Sequence, residues 1–202
     1  MDITEPELQE ALEAADGVNR KLREILEGPY GDGDRTIVVL GYWALSIEHH
    51  SAIFLLFKDR HFGSALVLGR SIFEAMIRAH WLVKCASQEQ LKFCLENDQG
   101  KFPAMKEMAQ AVDVDYSDPR GGAMTKFQDA VSHGWPILNS YTHSGLRQLA
   151  CRFKGDQVQP NYSTETLVDA LNTSTVPLRL LATLLAMITG RQDKFSEILA
   201  LP

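Results

Sequence analysis

The sequence predicts an all-α fold: a single-domain helical bundle with two central, all-round apolar helices and several shorter ones. Three observations predict it. Apolar residues recur at helical spacing almost throughout, and no run alternates convincingly with a period of two. Helix-starting Ser, Thr and Asp and helix-breaking Gly and Pro punctuate that pattern. The chain has 202 residues, 45% of them hydrophobic and 23% charged, which suits one sizeable core.

Thr4 and Glu7 make a capping box with Pro6 in the first turn, opening a helix to about 27. Leu8, Leu12, Ala15, Leu22, Ile25 and Leu26 form a single stripe on it, so residues 1–27 read as an acidic amphipathic N-terminal helix. Gly28-Pro29-Tyr30-Gly31 breaks it. Residues 34–153 read as the core helices. Asp34 caps the second helix, over 35–58, and a short turn at 59–63 leads into a third over 64–86. Both are apolar on all sides, the mark of a central helix. Ser87 and Gln90 cap a short helix to about 97, and another runs over 101–112. Residues 115–122, with Pro119, Gly121 and Gly122, form a loop. A helix over 123–133 then ends at Gly134-Trp135-Pro136, and a new one starts near Asn139 and runs to Phe153. Residues 155–162 read as a second loop. The C-terminal helices occupy 163–200: a long one capped by Ser163, bent near Pro177, and a short one over 191–199.

Charge and composition exclude several roles. The net charge is -6, but residues 1–27 hold eight acids and three bases, leaving 18 acids against 17 bases elsewhere. Without a basic tract, duplex DNA is excluded as a partner, while a short RNA in a local basic cleft stays open. Cys85, Cys94 and Cys151 are odd in number and lack C-x-x-C spacing, which points to a reducing cytoplasm. The acidic N-terminus has no apolar signal core. The apolar stretch 176–189 is too short to span a bilayer and holds Pro177 and Arg179, so no membrane role is expected.

Polar residues inside apolar patterns are the candidates for function. Arg70, Glu74 and Arg78 fall at i, i+4, i+8 on the third helix. Three readings stay open: an ion-pair ladder at a helix or subunit seam, an arginine-lined cleft for an anion with Glu74 holding the guanidinium groups, or a purely exposed face. His50 falls beside Trp43, Ile47, Phe54 and Phe57, where one hydrogen bond satisfies a core histidine; it also counts among the candidate ligand contacts. Asn139-Ser140-Tyr141-Thr142-His143 comes just after the Trp-Pro break. It reads as a helix start, with two readings open: plain capping chemistry with His143 exposed, or a neutral His143, held so by the dipole, fit to act as a base. No H-E-x-x-H or di-iron E-x-x-H pattern occurs, so no metal site and no cofactor is expected.

The stretch Ser64 to Leu82, with its A-L-x-R-x-x-x-E-x-x-x-R pattern, and the downstream Tyr141-Thr142-His143 resemble an uncharacterised bacterial all-helical family. The resemblance covers about 35–190. That group is distantly similar to HEPN-type bundles, many of which are RNases of toxin or phage-defence systems. Their motif pairs an Arg and a polar residue with a His. Here Asn139 and His143 match the second half, but Leu138 stands where the Arg belongs.

The leading expectation is therefore a non-enzymatic binding or regulatory module with an anion-accepting cleft of Arg70, Glu74, Arg78, His50, Tyr141 and His143. Its expected ligand is a phosphate-bearing small molecule or short RNA, with Tyr141 and Trp81 stacking on a ring. The alternatives are a HEPN-like metal-independent RNase using His143 with Arg70 or Arg78, and a metal-dependent bundle enzyme. A homodimer is expected, because Leu167, Leu171, Val176, Leu180, Leu181, Leu184, Leu185 and Ile188 exceed what one bundle side needs.

Overall fold

The fold is seen in a computed structural model, which describes residues 6–97, 102–116 and 127–201. Thr4 of the expected capping box and residues 117–122 of the expected loop lie outside them.

The first helix, α1 (Pro6–Ile25), buries Leu8, Leu12, Ala15, Leu22 and Ile25 and turns its acids outward. Helices α2 (Asp34–Lys58) and α3 (Phe62–Lys84) form an αα-hairpin through a turn in which Arg60 takes a φ of 61°. Gly33, not Asp34, holds the N-cap position of α2; Asp34 lies in the first turn, where a carboxylate still complements the dipole. The short α4 (Gln88–Glu96) opens with the expected capping box of Ser87 and Gln90. Helix α5 (Met105–Tyr116) starts later and ends later than the sequence suggests, so Asp115 and Tyr116 are helical.

The largest departure is at Pro136. The sequence predicts a break there, yet α6 (Phe127–Thr142) is one helix. A proline removes one backbone donor, and packing on both sides holds this one in place. Trp135 packs on Phe73 of α3 (ring centroids 6.1 Å apart), and Leu138 covers Gly69. The segment after α6 is less helical than expected. Helix α7 (Leu146–Ala150) gives way to a two-stranded antiparallel hairpin, β1 (Phe153–Lys154) with β2 (Gln157–Val158), turning at Gly155, φ 65°. Helix α8 (Thr164–Ile188) starts at Ser163, whose Oγ accepts from Thr166 N, and runs unbroken past a buried Pro177. A 3₁₀ turn (Gln192–Lys194) and α9 (Phe195–Leu199) complete the described chain.

One core runs through the bundle. Helix α3 lies between α2, α5, α6 and α8, and α8 crosses α1, α2 and α3. Of the α8 residues that suggested a dimer, Leu167, Leu171, Leu181, Leu184 and Leu185 are buried within the chain, Leu180 and Ile188 are half-buried, and Val176 is 43% exposed. Helices α2 and α8 are each 25 residues long and apolar enough to cross a membrane, so length alone does not exclude a span. In α8 56% of the apolar window is buried within the protein; in α2 only 33% is.

Three arginines latch helix ends. Arg35 donates to the carbonyls of Leu82, Val83 and Ala86 at the end of α3. Arg191 donates to Leu26, Glu27 and Pro29 past α1, and Arg179 to Leu201. Arg35 and Arg191 meet carbonyls that a helix end leaves without partners, and Arg179 ties down the chain just past α9.

Candidate functional site

Because Arg70, Glu74 and Arg78 are one turn apart on α3, their side chains stand in a single row. Glu74 pairs with both: its Oε1 with Arg78, its Oε2 with Arg70 Nη2 at 3.7 Å. The row is half-open, with 24%, 22% and 34% of the three side chains exposed in chain order. That is too open for a buried ion-pair ladder and too enclosed for a free surface.

Aromatic rings wall the row. The Arg70 guanidinium lies over Trp135 of α6, 4.7 Å from the ring centroid, and that of Arg78 lies over Phe102, 4.4 Å away. Flat guanidinium groups stack on rings and are held ready at small entropic cost. Phe102 is braced against Trp81 at 6.0 Å. Tyr42 of α2 faces Arg78. Burial pushes its phenol up, while the charge of Arg78 and a hydrogen bond to it pull the other way.

Two donors here lack partners. The Nε atoms of both Arg70 and Arg78 are buried and have no acceptor among the described residues. An unsatisfied buried donor costs about 1–3 kcal/mol, so an oxygen that reaches either after a shift of the side chain is favoured. The two guanidinium groups belong to residues about 12 Å apart along α3, at 1.5 Å per residue.

The other predicted residues lie elsewhere. His50 is fully buried on α2, its Nδ1 3.1 Å from Asn19 Nδ2 on α1, and burial alone lowers its pKa to about 4. Tyr141 sits half-buried near Cys151, Arg147 and Tyr162. Trp81 is 5% exposed, too buried to stack on a ligand; the rings that lie at the row are Phe102 and Trp135. His143 is exposed just past the C-terminal end of α6, its N–H donating to Asn139 O, so the argument from a helix N-terminus does not apply to it. Helices α3 and α6 run antiparallel, with Phe127 against His80 and Leu138 against Gly69. His143 is therefore separated along the helix axis by about 20 Å from Arg78 and by about 9 Å from Arg70.

Sequence reasoning missed Tyr42, Phe102 and Trp135. Trp135 was hidden by the expected break, and Tyr42 by the apolar run around it. It also missed a second polar cluster, at the start of α3. There a Cβ on Gly63 would collide with the side chains of Arg152, Gln148 and Tyr162, and the buried Tyr162 hydroxyl lacks a partner among the described residues. Among the described residues, no group of three or more His, Cys, Asp or Glu converges to hold a metal ion.

Fold and site together define an all-α bundle protein with a half-buried row of two arginines and one glutamate set between aromatic rings. The chain belongs to the family of unknown function DUF6988, whose model matches residues 43–201 and so takes in α3, α6 and α8. No curated protein and no solved structure matches it.

Proposed function

We propose that this protein is a binding module whose groove over α3 takes an anionic ligand, a phosphate-bearing small molecule or the backbone of a short RNA. The observation that carries this reading is the pair of buried, acceptor-free Nε donors on Arg70 and Arg78. Glu74 offsets only part of their charge and fixes their planes, leaving N–H groups for bidentate contact with a phosphate. Trp135 and Phe102 offer ring edges beside each guanidinium for a base or sugar. Binding is favoured over cleavage, because an RNase using His143 would need that imidazole beside an arginine of the row.

Trp135 reports on the site directly. Titration with pyrophosphate, a nucleoside triphosphate or a short single-stranded RNA changes its fluorescence saturably at low salt. Arg70→Ala and Arg78→Ala abolish the change while circular dichroism stays helical. A wild-type protein that shows no saturable response to any of the three probes sinks the reading and leaves the row a structural ladder.

A further inference from the structure

The outward side of α2 has the pattern of a helix that lacks its partner. Its exposed residues are Asp34, Ile37, Gly41, Ala44, Leu45, Glu48, Leu55 and Lys58. All but Leu45 fall, with the part-buried Ser51, on two heptad series: Asp34, Gly41, Glu48, Leu55 and Ile37, Ala44, Ser51, Lys58. The opposite side, with Val39, Trp43, Ser46, Ile47, His50, Ile53, Phe54 and Phe57, is buried in the core. So the open side is a heptad-spaced face of mixed polarity, with one large apolar residue near each end, Ile37 51% and Leu55 63% exposed, and a charge at each tip.

We infer that the occupant of this face is α2 of a second copy, packed antiparallel about a two-fold axis that crosses the exposed face between Ala44 and Glu48, level with the buried Ser46. The argument is self-complementarity. In that register Asp34 meets the partner's Lys58 and Ile37 meets the partner's Leu55; each pair occurs twice, as an isologous interface requires. Gly41 falls opposite the partner's Ser51, so the backbones approach closely at the second layer. Ala44 falls opposite the partner's Glu48, which puts the two Glu48 carboxylates either side of the axis. They are the one unfavourable feature of the seam. The charges at its two ends are opposite in sign and the apolar layers lie just inside them, so a parallel pairing would set Asp34 against Asp34 and Lys58 against Lys58. Helix α2, not α8, then carries the association.

Light scattering over a concentration series tests this. The wild type is a dimer at tens of micromolar. Asp34→Lys and Lys58→Asp each place like charges at both ends of the seam, and each alone raises the dimer dissociation constant at least tenfold. Mixed in equal amounts, the two variants restore every opposite pairing and form a heterodimer as tight as the wild type. That rescue separates the interface from any effect of the substitutions on α2 itself. Glu48→Ala tightens association. A monomeric wild type, variants that dimerise like it, or a mixture that stays monomeric each overturns the proposal. So does a monomer that floats with lipid vesicles, since a bilayer then covers the face.

Discussion

Two buried histidines should make this fold acid-sensitive in a narrow window. His50 and His80 are 0% and 3% exposed, and burial lowers each pKa from 6.5 to about 4. At His80 a bond from Nδ1 to Met76 O works against that shift, and Lys84 adds to it. Above pH 6.5 neither the folded nor the unfolded chain protonates these rings, and their contribution is fully present. As pH falls toward 4 the unfolded chain takes up protons that the folded chain refuses, so stability drops. At 1.36 kcal/mol per pH unit, the full displacement amounts to about 3 kcal/mol for each ring, of which about 2 kcal/mol is lost between pH 7 and pH 5. Urea melts of the wild type and of His80→Leu at both pH values isolate the effect. The wild type should lose about 2 kcal/mol more than the variant between them, whatever the variant does to stability at pH 7. Equal losses would show that His80 titrates normally in the folded state and that its burial among Tyr116 and Phe127 is mistaken.

Three further outcomes are expected. Glu74→Ala should cost about 1–3 kcal/mol in a denaturant melt, less than the 3–5 kcal/mol of a fully buried pair, because water reaches the row. Asp113→Ala removes a carboxylate that accepts from Phe127 N at 2.7 Å and Gln128 N at 2.8 Å; it should cost about 1–2 kcal/mol and speed amide exchange in the first turn of α6. Gly63→Ala forces a methyl into Arg152, Gln148 and Tyr162 and should lower stability by about 1–3 kcal/mol, read as a drop in Tm.

The helices were legible because local chemistry agrees with global packing. Ser87 with Gln90, and Ser163 with Thr166, cap their helices as their spacing foretells. The stripe of α1 points inward as its period requires. Pro136 was misread because a local rule was outweighed by distant contacts: Phe73 and Gly69, more than sixty residues upstream, hold Trp135 and Leu138 in one helix. Moving that boundary moved His143 from a helix start to a helix end. Arg70, Glu74 and Arg78 were legible as a row because one helix carries all three. Their ring partners were not, since Tyr42, Trp135 and Phe102 come from separate segments and no spacing rule joins them. Helix α2 shows a further limit. An all-round apolar pattern says that every face wants cover, but not whether the same chain provides it.

The latch between Arg191 and the end of α1 sets a condition on biosynthesis. Its donor and its acceptor at Leu26 are 165 positions apart, and α1 spends its apolar stripe largely on α8. At roughly 5–20 residues per second, about ten to thirty seconds of translation separate the emergence of the two. For that interval Leu8, Leu12, Leu22 and Ile25 have no α8 to cover them. The outward acids of α1, Glu10, Glu13 and Asp16 among them, then keep a nascent amphipathic helix dissolved until its cover is made.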